Sequence, residues 1–294
     1  MAKPDKSVLI TGASTGIGFA TAGFMAKKGW RVFAGVRKDA DAQRVSEISG
    51  RVTPVMIDVT DGAAVERACD QVKAALDGAA LSGLVNNAGV AVAGPLLHLP
   101  IEEMQRQLEI NVTGQLRVVQ GFVPLMIPGK GANPSAKGAG RVVNISSVAG
   151  LNATPLVTPY ACSKFALEAL TQGLRRELML YGIDCVAINP GPIRTPIWDK
   201  AEELDPEQYR STDYAGALDK ILAYMLSRGK TGLPPERVAR AVHAALTDRT
   251  PKLNTIVTPE PVSHWLLNTL PRRSADKLIA KRLGLTPDAL NKDA

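Results

Sequence analysis

The sequence predicts an α/β protein built on a doubly wound parallel sheet of about seven strands, with helices on both faces. Three observations carry this expectation. Short apolar β-rich runs alternate with longer helical patterns, the order that βαβ units require. A glycine-rich turn, Gly12-Ala13-Ser14-Thr15-Gly16-Ile17-Gly18, falls directly between the first apolar run and the first helical pattern. The chain has 294 residues, 45% of them hydrophobic and 21% charged, enough for one large domain with a substantial buried core.

The elements follow in chain order. Strands are expected at Val8–Thr11, Arg31–Val36, Val52–Asp58, Leu84–Asn86, Arg141–Ser146, Asp184–Asn189 and, late in the chain, Thr255–Thr258. Each is a short run rich in Val, Ile, Leu or Thr, the length and composition of a strand rather than of a helix. Helical patterns lie between them at Ile17–Lys28, Gly62–Leu76, Glu102–Met126, Pro159–Tyr181 and Glu236–Leu246. Alternation of this kind gives a sheet of Rossmann type, with right-handed crossovers placing helices on both sides. Ile127–Gly140 (IPGKGANPSAKGAG) reads as a surface loop on its Gly, Pro and Lys content. No internal repeat and no second boundary interrupts the pattern, so residues 1–294 are expected to form a single domain.

Composition narrows the function classes. There is no run of eighteen uncharged apolar residues, so no membrane span is expected. The N-terminus enters a strand within seven residues, which leaves no room for a signal peptide. Cys69, Cys162 and Cys185 are scattered and odd in number; reduced thiols in a cytoplasmic protein are expected. His98, His243 and His264 fall in separate segments, so no metal site is expected. A net charge of +7 suits an anionic cofactor, nucleic acid or acidic lipid. The basic residues are dispersed and form no aromatic-interleaved stripe, which argues against nucleic acid.

Gly12, Gly16 and Gly18 suit a dinucleotide cradle. Glycine lets the backbone turn tightly and approach a diphosphate, and the helix N-terminus adds free N–H donors with a partial positive charge. Tyr160 and Lys164, four apart on an expected helix, share one face. A phenol with a pKa near 10 is a poor base at neutral pH. An ammonium about 6 Å away supplies close to 3 kcal/mol at an effective dielectric of 20, enough to lower that pKa by about two units. Ser147 lies thirteen residues upstream of Tyr160, with Ser146 as its nearest competitor.

Five further motifs accompany the glycine turn in a fixed order. They are Asn86–Gly89 (NNAG), Asn111 in LEINVTG, Asn144–Ser147 (NISS), Tyr160–Lys164 (YACSK) and Asn189–Thr195 (NPGPIRT). Together they cover residues 7 to about 200, and over that span the chain resembles the short-chain dehydrogenase/reductase family in its compact form. The resemblance implies an oxidoreductase that interconverts an alcohol and its carbonyl. Tyr160 would be the proton donor or acceptor, Ser147 would bond the substrate oxygen, and Lys164 would lower the tyrosine pKa and grip the nicotinamide ribose. Asn111 would hold a water that extends the relay. The cofactor would lie against Gly12, Ser14, Thr15, Gly16, Ile17 and Gly18. Asp58 and Val59 would meet the adenine, Asn87, Ala88 and Gly89 the central portion, and Pro190, Gly191, Ile193 and Thr195 the nicotinamide. NNAG is also expected to brace the sheet centre, and Asp58 has the alternative of capping the next helix.

Val36 stands where the NAD-using members of this family carry an acid, and Arg37 and Lys38 follow. A guanidinium binds a 2′-phosphate that a carboxylate would repel, so NADP(H) is favoured over NAD(H). The alternative has Arg37 stacked on adenine while Asp39 or Asp41 takes the ribose.

A substrate lid is expected over about residues 196–233. Within it Tyr214, Leu218, Ile221, Leu222 and Met225 recur at helical spacing, as either a pocket wall or a core-facing stripe. The resemblance extends loosely to members acting on steroids, retinoids and other lipophilic alcohols, which implies a small lipophilic alcohol or carbonyl substrate. A C-terminal helical extension, 261–294, combines Trp265, Leu266, Leu267 and Leu270 with Arg272, Arg273, Lys277, Lys281 and Arg282. It suits a membrane surface, a pocket cap, a subunit contact or a solvated helix face. The family habit of pairing through the helices that carry Asn111 and Tyr160 implies a homodimer or homotetramer. Two other functions stay open: a cofactor-binding regulator without turnover, and a related epimerase or dehydratase.

Overall fold

A computed structural model describes residues 6–127, 140–196 and 206–290. Most of the Ile127–Gly140 loop, residues 197–205 of the expected lid and the last four residues lie outside the described residues.

Seven strands form one parallel sheet: β1 (Ser7–Ile10), β2 (Arg31–Val36), β3 (Val52–Met56), β4 (Gly83–Asn86), β5 (Arg141–Ile145), β6 (Asp184–Pro190) and β7 (Asn254–Val257). Their spatial order is β3-β2-β1-β4-β5-β6-β7, with every pairing parallel. All seven expected strands are present, with ends shifted by one or two residues. The inner strands are fully buried; Val8, Leu9 and Ile10 have no exposed surface, as a parallel sheet covered on both faces demands.

Strand alternation sorts the core into two layers. Val8, Ile10, Val32 and Ala34 point to one face, where they meet Ala22 and Met25 of α1 (Gly16–Lys27) and Val238 and Val242 of a later helix, Glu236–Thr247. Leu9, Phe33 and Leu84 point to the other. There they meet Val65 and Val72 of the Gly62–Leu76 helix, Phe122 of the Gly114–Phe122 helix, and Leu174 and Leu178 of the Thr158–Leu178 helix. Between α1 and these lies a short α2 (Asp39–Ser46), which the sequence reading did not anticipate. In chain order the others are α3 (Gly62–Leu76), α4 (Ile101–Leu108), α5 (Gly114–Phe122), α6 (Thr158–Leu178), α7 (Ala215–Thr231), α8 (Glu236–Thr247), α9 (Pro261–Thr269) and α10 (Arg272–Leu283).

The helix expected over Glu102–Met126 is broken. Between α4 and α5, residues Glu109–Thr113 form a π-helical turn, and Val123–Leu125 form a closing 3₁₀ turn. Two contacts hold the bulge. Gly114 packs so tightly on Val59 that a Cβ would lie 2.8 Å from its methyl, and the Asn111 side chain is drawn away from the helix surface by bonds described below. Such bulges cluster at functional sites.

The strand order reverses between β1 and β4, and the crevice at the carboxyl ends of those strands is where this architecture accepts ligands. A third, smaller core borders it. Leu156, Tyr209, Ala217, Leu218, Ile221 and Leu283 are buried together, with Tyr214, Leu222 and Met225 packed against them. The apolar stripe of α7 is therefore core-facing, joining α7 to α10 and to the loop before Tyr160.

Candidate active site

The turn after β1 is built for close approach. Gly12 and Gly16 have φ of 61° and 56°, a left-handed conformation that side-chain-bearing residues avoid. A Cβ on Gly18 would collide with the Gly12 carbonyl, so only glycine lets α1 start so near the turn. Thr15 precedes α1 without a side-chain cap, leaving the first-turn N–H groups directed at the turn. That fits a diphosphate. Asn87 braces the cradle from β4: its amide donates to the carbonyls of Thr11 and Gly12, both at 2.9 Å. The hydroxyl of Thr11 accepts from the N–H groups of Asn87 and Ala88, both at 3.0 Å.

The segment after β6 closes the far side. A Cβ on Gly16 would lie 3.1 Å from Thr195, and one on Gly191 would lie 2.5 Å from the Thr258 hydroxyl. Pro190 ends β6, and Ile193 is buried in the core, bridged to Leu233. At the other end of the crevice Arg37 pairs with Asp58 at 3.9 Å, both well exposed. Asp58 accepts from the Thr60 N–H at 2.9 Å and its hydroxyl at 2.7 Å. Although partial burial opposes it, these bonds and Arg37 hold the Asp58 carboxyl below its ordinary pKa. Asp58 does not cap α3; Asp61 does, accepting from Ala63 N–H at 2.9 Å. Val59 is buried, its carbonyl accepting from Arg117. Ser14 lends its carbonyl to Arg44 at 2.6 Å.

The reacting groups meet at the ends of β5 and β6. Tyr160 and Lys164 lie on one face of α6, with Lys164 Nζ 5.6 Å from the centre of the phenol ring. The Ser147 hydroxyl donates to the Pro190 carbonyl at 3.3 Å and acts to lower the Tyr160 pKa, which places it near the phenol. Ser147 also caps the following turn, accepting from Ala149 N–H at 3.1 Å. Ser146 is buried with its hydroxyl unpartnered among the described residues, and Ser147 is the serine whose hydroxyl acts on the Tyr160 pKa. Lys164 is buried and donates to the Ile145 carbonyl at 2.8 Å.

The expectation that Lys164 acidifies Tyr160 needs correction. Burial, the larger effect, pushes the phenol above its ordinary value, and the Ser147 bond offsets only part. The same desolvation lowers Lys164 to about 8, with Glu168 pulling it back up. A dry pocket disfavours both charged forms, so the phenol stays protonated while the amine is loosened.

Asn111 sits in the π turn, almost fully buried. Its amide donates to the Val90 carbonyl at 2.9 Å and the Ser163 hydroxyl at 3.0 Å, while its oxygen accepts from Val90 N–H at 2.9 Å. Both amide donors are thus engaged by protein, and a Cβ on Gly89 would touch its oxygen at 3.2 Å. Gln107, Glu168 and Thr171 are buried polar residues that the sequence did not single out, whereas Asn86, Asn144 and Asn189 belong to the motifs quoted above. Gln107, fully buried, holds the loop after β4 through Val90 and Val92, each at 2.7 Å. Asn86, Asn144 and Thr171 form a chain across the sheet into α6, at 2.9 and 2.8 Å. Glu168 and Asn189 are joined at 2.5 Å. The signal was there: Lys164, Glu168 and Thr171 recur at i, i+4 and i+7 on an otherwise apolar helix face.

Residues 6–205 match the model of the short chain dehydrogenase family. The chain is 38% identical to an NADPH-dependent 3-dehydrocapnine reductase from Ornithobacterium rhinotracheale, over 94% of this chain and 96% of that one. A short-chain dehydrogenase from Streptomyces avermitilis superposes with a TM-score of 0.74 and 25% identity, covering 96% of this chain and 98% of the other. A 3-ketoacyl-(acyl-carrier-protein) reductase from Brucella melitensis, complexed with NADH, gives 0.69 at 25% identity, covering 86% and 96%. A parallel sheet in this order, a glycine cradle at its switch point and a match over 6–205 lead to one conclusion: the chain belongs to the short-chain dehydrogenase family.

Proposed function

We propose that the protein is an NADP(H)-dependent oxidoreductase that interconverts an alcohol and its ketone or aldehyde. The observation that carries the reading is the placing of Lys164 5.6 Å from the Tyr160 ring, with Ser147 just past the end of the neighbouring β5, in a sheet whose switch point carries the glycine cradle. When bound, the dinucleotide supplies hydride. The glycine turn and the N-terminus of α1 would hold its diphosphate, Arg37 and Lys38 its 2′-phosphate, and Lys164 with the Pro190–Thr195 segment its nicotinamide half. NADP(H) is preferred on Arg37 and on the NADPH-dependent relative, although one similar structure carries NADH.

The residues divide the proton chemistry. Tyr160, kept protonated by burial, is the acid that donates to the carbonyl oxygen in the reducing direction. Ser147 orients that oxygen and stabilises its developing charge. Lys164 supports the phenol once its proton has left. Asn111 fixes the Val90 loop to α6 through Ser163, and a relay water would have to donate to its oxygen, because its N–H groups are taken.

The substrate is proposed to be apolar, held against the core of Leu156, Tyr209 and Leu218. The chain is read as one working unit, with the extension from 261 onward packed at Leu283. Exposed Val262, Trp265 and Leu266 with the cations of α10 support peripheral contact with a membrane, and no helix among the described residues is long and apolar enough to cross one. Exposed Phe165, Met179 and Leu180 on and beside α6 support assembly into a homodimer or homotetramer. Three unpaired cysteines suit a cytoplasmic setting.

The test is loss of NADPH absorbance with a panel of apolar ketones and aldehydes. Turnover abolished by Tyr160→Phe, with NADPH still bound, supports the reading. Binding without turnover points to a regulator, and conversion without net redox change to an epimerase. Arg37→Ala should weaken NADPH about tenfold or more and leave NADH nearly unchanged; equal affinities in the unaltered protein would refute the cofactor preference.

A further inference from the structure

Glu168 lies one turn beyond Lys164 on α6, and the two are buried to 7% and 6% exposure. Nothing in the reaction so far uses it. A carboxylate at this depth must be paired and hydrogen-bonded, and its partners come from two strands. Oε1 accepts from Asn189 Nδ2 on β6 at 2.5 Å, and Oε2 from Asn254 Nδ2 on β7 at 2.7 Å. The Asn254 amide also donates to Asn189 Oδ1 at 3.4 Å, closing a ring of one carboxylate and two amides. Asn189 Nδ2 donates in addition to the Ser147 carbonyl at 3.2 Å.

Counting donors fixes the charge of this ring. The Ser147 carbonyl only accepts, so the amino end of Asn189 must face it, and Asn189 Oδ1 then requires the amino end of Asn254. Both Glu168 oxygens consequently face N–H groups, which have no lone pair to offer a carboxylic acid proton. The ring offers the carboxyl group donors only, and a cation shares its helix face. Lys164, at i−4 on the same face, is that cation. The bonded neighbours of the two groups are neutral: the Ile145 carbonyl from β5 accepts from Lys164, and Asn189 from β6 and Asn254 from β7 donate to Glu168. Tyr160 is the second titratable group against Lys164, and Glu168 is the charge that acts on it.

We infer that Glu168 is a positioning residue: it keeps Lys164 cationic inside the dry pocket and, through Asn189, sets the backbone of Ser147. The inference rests on the roles proposed above for Lys164 and Ser147. Without Glu168, desolvation acts on Lys164 unopposed and the amine sheds its proton more readily.

Ionisation of Lys164 can be read without cofactor or substrate, from the ¹³Cε–¹⁵Nζ resonances of lysine-labelled protein assigned with Lys164→Arg. The unaltered protein should titrate at about 8. Glu168→Gln should lower the midpoint by about one to two units, and Glu168→Asp, which keeps the charge, by clearly less. An unchanged midpoint in Glu168→Gln overturns the inference. Should that variant fail to fold, Glu168→Asp decides, and no downward shift in it overturns the idea. NADPH fluorescence gives a second readout. Glu168→Gln should bind about tenfold more weakly at pH 8 and nearly normally at pH 6, where its lysine is recharged. A deficit equal at both values would mean a merely structural role. Failure of the unaltered protein to bind NADPH would sink the proposed function and leave the lysine titration to judge Glu168.

Discussion

Tyr160 and Lys164 share a pocket that penalises charge on either of them, and the direction of each shift has a kinetic consequence. Lys164, lowered to about 8, is cationic below that pH and neutral above it. Tyr160, raised, keeps its proton throughout the same range. Carbonyl reduction that depends on the ammonium should therefore hold up to about pH 8 and fall as pH rises through it. The pH profile of kcat/KM for NADPH-dependent reduction checks this; a rate that climbs from pH 8 to 9.5 would contradict it. Arg37 illustrates a different residue-scale point. It is exposed and its pairing with Asp58 is loose at 3.9 Å, so it is free to exchange that partner for a phosphate at little cost.

At the scale of elements, two helix starts perform different tasks. The start of α1 has no side-chain cap and is shaped by Gly18, as the proposed cofactor site requires, whereas the start of α3 is closed by the Asp61 side chain. Gly18→Ala puts a methyl into the Gly12 carbonyl, and backbone must move. We expect it to weaken NADPH binding at least tenfold and to cost about 1–3 kcal/mol of stability. Asp61→Ala should cost about 1 kcal/mol by thermal melting and leave NADPH binding unchanged. Finding the reverse pattern would mean that the cradle is not where the cofactor binds. The π turn is a third case. Gly114 against Val59, with Asn111 turned towards Val90 and Ser163, ties the α4–α5 segment to the helix that carries Tyr160.

Across the whole molecule, one sheet fixes the distance between the glycine cradle and Tyr160. Thr11 and Asn87 lock β1 to β4, Asn86 and Asn144 lock β4 to β5, and Glu168, Asn189 and Asn254 lock α6 to β6 and β7. A defect in the sheet should consequently reach both ends of the site. Leu84→Ala, at a fully buried position of β4, should cost about 2–5 kcal/mol in denaturant unfolding. Loss well under 1 kcal/mol would show that the core is not packed as described.

The sequence by itself determined the seven strands, their parallel arrangement and the residues proposed for the reacting centre. Those features rest on local signals: apolar runs, a glycine turn and the i, i+4 relation of Tyr160 and Lys164. Only the tertiary structure decided that Lys164 donates to the Ile145 carbonyl, and that the Glu102–Met126 segment breaks at Asn111. It also decided that the stripe of α7 faces a core, and that Glu168 closes a ring with amides 21 and 86 residues away. The direction of the Tyr160 shift belongs there too. Desolvation and long-range hydrogen bonding depend on what surrounds a group in space, and spacing along the chain carries no measure of either.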